Sequence, residues 1–340
     1  MKKHLFLLMF LLPMAANAYD VEIDGIYYNL DNKNLTAEVT YRDEKSIDDT
    51  DSHKTDSYKE QTITIPEVIK HNDIEYRVTT IGKNAFYDCS SIQSVSIPNS
   101  VTNFEDFAFY ECTGLKSISI PDCVTNIGVN TFSGCTGLKS ISIPNSVTNI
   151  DICAFADCTN LLSVSIPSSV TTIKNYTFYR CSKLQSIIIP SSVTVIKEGA
   201  FEECPKLKKI ICYTNSVPST DEYAFYGLDF ENAKLYVPVE SIEAYKKSDP
   251  WSNFKTILPI ETATAVSEVA ATDFAVNANG GVICIKSETE GQNAAVYTIG
   301  GQLIGSGITS NGTTVISTNL PSGSLAVVKV GEKSMKVTMK

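Results

Sequence analysis

Residues 112–134 read CTGLKSISIPDCVTNIGVNTFSG, and this stretch recurs along the middle of the chain at a spacing of 23 residues. Cysteine, phenylalanine and proline each recur at this spacing. The markers are Cys89, Cys112, Cys135, Cys158, Cys181 and Cys204, with Phe86, Phe109, Phe132, Phe155, Phe178 and Phe201 and with Pro98, Pro121, Pro144, Pro167 and Pro190. A repeat of this length predicts a solenoid, because each unit has an apolar face that only a neighbouring unit can cover.

Each unit contains one pattern typical of a short strand. Leu115, Ile118 and Ile120 take core-facing positions with polar residues between them, and Pro121 ends the strand because it has no backbone N–H to donate. The apolar residues that follow are Val124, Ile127 and Phe132. We expect the first two to return inward on the next side, and the phenylalanine to close the coil from a tight turn or short 3₁₀ segment. The sequence predicts an α/β solenoid that is predominantly β.

The repeat resembles the leucine-rich repeats of the BspA-like, Treponema-type family of bacterial surface proteins. The L-x-x-I-x-I-P pattern at 115–121, 138–144 and 184–190 carries the resemblance, together with the A-F-x-x-C pattern at 85–89 and 154–158. It implies a leucine-rich repeat array and a non-enzymatic adhesion or binding protein. It further implies attachment to host extracellular-matrix proteins, host cells or other bacteria through the repeat surface.

Both ends of a solenoid expose an apolar layer, so capping segments are expected. Residues 19–61 alternate apolar and polar residues and predict an N-terminal cap with a hairpin. The repeat domain is predicted at 62–258, including a C-terminal cap with helical spacing at 239–247. Trp251 follows, and its position predicts a plug over the last coil rather than a ligand-stacking site.

The repeat register is lost beyond residue 258, where a linker is predicted at 259–266 and a small β-sandwich at 267–340. Its predicted strands are Val282–Ile285, Ala295–Ile299, Thr314–Ser317, Leu325–Val330 and Met335–Met339. The segment resembles the C-terminal sorting domain of the type IX secretion system of Bacteroidetes, through Gly300-Gly301-Gln302-Leu303 and Leu320-Pro321-Ser322-Gly323. Leu325 and Ala326 stand where that family usually has an aromatic residue.

The first 18 residues combine two lysines, an apolar run and a small-residue cleavage pattern, which predicts a signal peptide and a secreted or cell-surface protein. No later stretch is apolar and long enough to predict a membrane segment in the mature chain. The net charge is −10, so nucleic acid is not an expected partner, because phosphate binding needs clustered Lys and Arg.

Ten cysteines in an exported chain ordinarily suggest disulfides, but six of them repeat in register. Stacked strands hold equivalent Cβ atoms parallel, whereas a disulfide needs them turned toward each other. A column of buried thiols is therefore favoured over bridges, and Cys212 is expected in the core. The spacing assigns no partner to Cys123, Cys153 or Cys284.

Motifs for catalysis, metals and cofactors are missing from the sequence. His53 and His71 are the only histidines after the signal peptide, no C-x-x-C pair exists, and no P-loop, G-x-S-x-G or H-E-x-x-H pattern occurs. We expect no cofactor and no catalytic activity. A secreted hydrolase remains as an alternative because carboxylate pairs can be chosen freely from 38 acidic residues.

The outward positions of the predicted strands form three columns, which we call the strand face. The columns are Gln93, Lys116, Lys139, Leu162, Gln185 and Lys208; Ser94, Ser117, Ser140, Ser163, Ser186 and Lys209; and Ser96, Ser119, Ser142, Ser165, Ile188 and Ile211. Those predicted to bind are Gln93, Ser94, Lys116, Ser117, Ser119, Lys139, Ser140, Ser142, Ser163, Gln185, Ser186 and Lys208. The expected partner is a protein. Alternatively, the chain is a glycan-binding accessory protein of a polysaccharide-utilisation system, although these columns hold no aromatic side chains for sugar stacking. A further alternative is that serine is tolerated at these positions and has no binding role.

Overall fold

The structure is a computed structural model that describes residues 19–41 and 58–260. In the C-terminal region it describes 274–279, 282–287, 293–298, 303–308, 313–318, 325–330 and 333–338. The predicted signal peptide at 1–18 lies outside these residues, as does the predicted linker from 261 onward. Pro259, the first residue of the predicted linker, instead ends the last strand of the repeat region. Within the described parts of the chain, no helix combines the length and apolarity needed to cross a bilayer.

The predicted strand of each repeat stacks in parallel on its neighbours and forms the first ribbon. Its strands are β4 (Thr62–Thr64), β7 (Ser94–Ser96), β9 (Ser117–Ile118), β12 (Ser163–Ser165), β14 (Ser186–Ile189), β16 (Lys209–Cys212), β18 (Lys234–Val237) and β19 (Thr256–Pro259). Between β9 and β12 the pairing is reduced to one bridge, Ser140 to Ser163. Leu115, Leu138 and Leu184 line one continuous core and are fully buried, which confirms the predicted solenoid.

A second ribbon of short parallel strands follows the proline turn, and the sequence analysis did not predict it. Its strands are β6 (Ile74–Ile81), β8 (Asn103–Phe104), β10 (Asn126–Ile127), β11 (Asn149–Ile150), β13 (Thr172–Ile173), β15 (Val195–Ile196) and β17 (Ser219–Thr220). The strand pairing stops at β11 and resumes at β13, so the ribbon consists of two sheets. The Asn126 amide donates to Asn103 Oδ1 at 2.9 Å, and the Asn149 amide donates to Asn126 Oδ1 at 2.5 Å. Two-residue strands are too short to show an alternating pattern in the sequence.

The third side of each coil is a tight turn around the repeating phenylalanine, as predicted. The phenylalanine rings are fully buried and stack nearly parallel, with centroids 5.3 Å apart between Phe109 and Phe132 and 5.4 Å apart between Phe132 and Phe155. Backbone bonds also link the turns, since the Phe132 N–H donates to Ala154 O at 2.8 Å. We call this side the turn corner.

Left-handed backbone recurs on both sides of each phenylalanine. Asn130 (φ 53°) and Gly134 (φ 75°) flank Phe132, and Cys153 (φ 56°) and Asp157 (φ 54°) occupy the same positions one coil later. A non-glycine residue pays roughly 1–2 kcal/mol for this conformation. The coil-to-coil hydrogen bonds and the buried ring hold it in place, so the turn forms even where no glycine marks it.

The N-terminal cap is an antiparallel sheet of β1 (Val21–Ile23), β2 (Ile26–Asp31) and β3 (Thr36–Thr40). β5 (Val68–His71) lies beyond the predicted cap and forms a hairpin with β6. β3 pairs in parallel with β6, so the cap covers the N-terminal end of the second ribbon. Tyr58 ends the phenylalanine stack, with its ring centroid 4.8 Å from that of Phe86.

The C-terminal cap contains the helical residues of the described solenoid. A 3₁₀ turn at Val239–Ser241 leads into α1 (Ile242–Tyr245), and a second 3₁₀ turn spans Trp251–Asn253. The Trp251 ring is fully buried against Phe225, at a centroid distance of 5.1 Å, and its indole N–H donates to Thr220 Oγ1 at 3.0 Å. The tryptophan is the predicted plug over the last coil.

The C-terminal region contains two antiparallel sheets around their own core. One has β20 (Phe274–Asn279), β21 (Val282–Ser287) and β24 (Thr313–Ser317); the other has β22 (Asn293–Thr298), β23 (Leu303–Ile308), β25 (Leu325–Val330) and β26 (Lys333–Thr338). Ile283 and Ile316 of the first sheet share a buried cluster with Val296 and Val328 of the second. The predicted small β-sandwich is confirmed. The strands β20 and β23 were not predicted, and β23 carries two glycines that weaken a strand pattern.

Removing one ring from the phenylalanine stack tests the packing. Phe155→Ala leaves a cavity between Phe132 and Phe178, so we expect the free energy of unfolding to fall by about 3–5 kcal/mol. Urea unfolding followed by fluorescence of Trp251, the single tryptophan, measures it. Ser163→Ala, at an exposed strand position, is the matched control and should change the value little. A loss for Phe155→Ala no larger than the control's contradicts the stacked core.

Candidate binding surface

The strand face is a flat surface on the outer side of the first ribbon. Backbone bonds join its rows, since the Lys116 N–H donates to Gln93 O and the Leu162 N–H to Lys139 O, both at 3.0 Å. Side chains also cross between coils, and the Lys116 ammonium donates to Gln93 Oε1 at 2.7 Å. Because successive strands lie about 4.8 Å apart, these rows present equivalent side chains at regular intervals.

The structure brings the predicted binding residues together on this face. Gln93, Ser94, Gln185 and Ser186 lie at or beside β7 and β14; the first two and Ser186 are half-buried, and Gln185 is exposed. The remaining exposed residues are Lys116, Ser117, Ser119, Lys139, Ser140, Ser142, Ser163 and Lys208. Their shared placement follows directly from the repeat register.

The charge on the strand face has one sign. Lysines occupy its outward positions at 116, 139, 208, 209 and 234, and none of these positions in the first ribbon holds Asp or Glu. Acidic residues lie instead on the turn corner, for example Glu111, Glu198 and Glu203. A chain with a net charge of −10 therefore carries a cationic strip that no carboxylate interrupts.

The C-terminal end of the face differs from the serine-rich part. Lys234 and Tyr236 on β18 continue the second and third columns, paired with Lys209 and Ile211 on β16. The repeat register missed this continuation because the spacing from Lys209 to Lys234 is 25 residues, not 23. The matching of Leu235-Tyr236-Val237-Pro238 to the strand consensus was the available signal.

Ile211 corrects one sequence expectation. The third column places it outward, but the side chain is only 7% exposed. It lies between Ile188 and Tyr236 in the strand register, so neighbouring apolar groups cover it. This end of the strand face is consequently more apolar than the serine columns.

The cysteine column is internal and separate from the strand face. From Cys112 onward, each thiol of the column donates to the carbonyl of the phenylalanine in the preceding coil, as Cys135 does to Phe109 O at 3.2 Å and Cys158 to Phe132 O at 3.1 Å. Burial raises the pKa of the Cys158 thiol to about 12. The described cysteines at 89, 112, 123, 135, 153, 158, 181, 204 and 212 are free, which agrees with the predicted thiol column. These buried thiols are poor nucleophiles, because the reactive form is the thiolate.

Exposed aromatic side chains lie on the turn corner. Tyr223 and Tyr226 are 50% and 58% exposed, with ring centroids 6.5 Å apart. Tyr176 and Tyr179, which are half-buried, form a T-shaped pair with a centroid distance of 5.6 Å. Their positions flank the buried phenylalanine of each coil, and the sequence analysis did not single them out. Across the described residues, no group of three or more His, Cys, Asp or Glu is placed to hold a metal ion.

Parallel ribbons, the L-x-x-I-x-I-P strand and a continuous leucine-lined core define a leucine-rich repeat solenoid. The sequence matches the family described as BspA type Leucine rich repeat region in six copies, over residues 67–185 and 125–249. The chain belongs to this family. No curated protein matches it.

Several solved structures are similar to this chain. A leucine-rich repeat protein from Bacteroides ovatus ATCC 8483 is 31% identical over 65% of this chain and 60% of its own length, with a TM-score of 0.49. The T. pallidum Leucine Rich Repeat protein is 26% identical over 59% of this chain and 86% of its own, with a TM-score of 0.51. A leucine rich cell surface protein from Faecalibacterium prausnitzii A2-165 is 31% identical over 58% of this chain and 55% of its own, with a TM-score of 0.45. The matched region thus spans little more than half of the first and third of these proteins.

Thiol labelling tests the column in the folded protein. Among the described cysteines, we expect iodoacetamide at neutral pH to modify exposed Cys123 first and half-buried Cys153 more slowly, while the seven buried thiols react only after unfolding. Burial and the Asp157 charge raise the pKa of Cys153, which slows its reaction further. Peptide mass mapping identifies the sites. Labelling of Cys135 or Cys158 as fast as Cys123 contradicts the buried column.

Proposed function

We propose that this protein is an exported, non-enzymatic binding or adhesion protein that uses its strand face to bind a protein ligand. The uninterrupted, carboxylate-free strand face carries the proposal. It extends over eight strands from β4 to β19, and its rigid backbone bonds keep the outward side chains in a fixed arrangement. Solenoids commonly bind partners over such extended surfaces.

Host extracellular-matrix proteins, host cells and other bacteria are the ligands proposed from the family resemblance. Family membership supports a binding role in general; two of the similar structures are called leucine-rich repeat proteins and the third is called a leucine rich cell surface protein. The predicted signal peptide at 1–18 and the sorting-domain pattern in 267–340 support export to the medium or the cell surface. The family match and the lack of a known catalytic motif in the sequence support the non-enzymatic part of the proposal.

Charge reversal on the strand face tests the proposal. The protein is first applied to arrays of matrix proteins and glycans, and any ligand found is then measured against a Lys116→Glu/Lys139→Glu/Lys208→Glu variant. We expect an affinity loss of about tenfold or more for that variant, because like charges across an interface oppose binding. The same number of reversals at exposed Lys33, Lys83 and Lys197, away from the strand face, is the charge-matched control. Equal losses of affinity in both variants would show that the strand face is not the binding surface.

A glycan-binding accessory role is a second candidate, favoured by the exposed Tyr223–Tyr226 pair on the turn corner. Aromatic rings that present a face to solvent suit stacking against sugar rings. Should the protein bind a polysaccharide, we expect Tyr223→Ala/Tyr226→Ala to lower the affinity by about fivefold or more. Isothermal titration with the polysaccharide found on the array measures the change. Tyr213→Ala, in a half-buried position, is the control variant, and an unchanged affinity for the double variant contradicts this role.

A further inference from the structure

The strand face changes its chemistry at its C-terminal end. There, Lys208, Lys209 and Lys234 lie beside Ile188, Ile211 and Tyr236, a set that we call the C-terminal patch. In the coils from β7 to β12, the second and third columns hold serines. The patch therefore combines cations with apolar surface, whereas the rest of the face presents mainly hydroxyl groups.

Two lysines of the patch are direct neighbours across the sheet. Lys209 on β16 pairs with Lys234 on β18, and the Lys234 N–H donates to Lys208 O at 2.9 Å. In the described parts of the chain, no ion pair includes Lys208 or Lys234. The exposed charges of Lys208 and Lys234 are thus available to an anionic group of a partner.

The patch also has a preorganised aromatic element. The Lys209 ammonium lies 5.7 Å from the centroid of the half-buried Tyr236 ring, in cation–π geometry. Burial lowers the pKa of Lys209, so part of its hydration is already removed. Tyrosine is enriched at the energetically important centre of protein interfaces, and Tyr236 supplies such a ring here in the same column as the apolar Ile188.

We infer that the C-terminal patch binds an acidic protein segment that also carries apolar side chains, an inference that rests on the proposed function of the strand face. Carboxylates of the segment pair with the three lysines, and its apolar groups pack against Ile188 and Tyr236. The apolar column favours a polypeptide over an acidic polysaccharide, whose surface is mainly charge and hydroxyl. The acidic residues of the turn corner repel such a segment, so the segment approaches the protein at the cationic strand face.

A random copolymer of glutamate and tyrosine is a suitable probe, since it supplies carboxylates and apolar rings on one polypeptide. We expect the fluorescently labelled copolymer to bind the full chain more tightly than polyglutamate or heparin at equal charge, with an affinity that falls as salt rises. Lys209→Glu/Lys234→Glu should weaken copolymer binding about tenfold or more. Tyr236→Ala should weaken binding of the copolymer but not of polyglutamate.

Controls separate this inference from the proposed function. The Lys33, Lys83 and Lys197 reversals should leave copolymer binding unchanged, and Lys234→Gln should keep the thermal midpoint while weakening binding. Wild-type affinity for the copolymer in the Lys209→Glu/Lys234→Glu variant, or tighter binding of heparin than of the copolymer, overturns the inference. If an array ligand depends on Lys116 and Lys139 but not on Lys209 and Lys234, the proposed function stands and only the patch assignment fails.

Discussion

Coil-to-coil stacking is the interaction on which the whole structure depends. A single 23-residue unit buries too little apolar surface to offset the entropy of ordering its backbone, so it folds only against a neighbour. The backbone bonds of the two ribbons and the turn corner, and the phenylalanine stack between them, all connect one coil to the next. This is why both ends need covers, which Tyr58 and Trp251 provide at opposite ends of the ring stack.

Much of this architecture was predictable, because each repeat has the same apolar residues at the same positions. Leu115, Pro121 and Phe132 each occupy a position that recurs, so a single chance match cannot produce the pattern. The second ribbon was not predictable to the same degree, since Asn126–Ile127 is too short to show a period of its own. The left-handed turn residues were hidden for another reason: only Gly134, Gly199 and Gly227 mark them, and side chains as large as Phe107 and Tyr176 adopt the same backbone elsewhere.

The sequence predicted where the binding surface lies better than it predicted which side chains the surface presents. The register placed Lys116 and Ser117 on the outer side of the first ribbon, where the structure has them. It did not extend to Lys234 and Tyr236, because an expanded last unit shifts their spacing. The exposed tyrosines of the turn corner follow no shared consensus and emerge only when the turn geometry is known. Irregular units at the end of an array are thus where sequence periodicity says least about surface composition.

The thiol ladder has a consequence for how the chain matures. Each sulfur in the column already has a carbonyl partner in the preceding coil, from Cys112 to Cys204, and needs no second sulfur. Nothing in this core therefore depends on an oxidant or on an isomerase that sorts bridges. The thiol column therefore requires no covalent bond that a reducing compartment would break or an oxidising one would have to form.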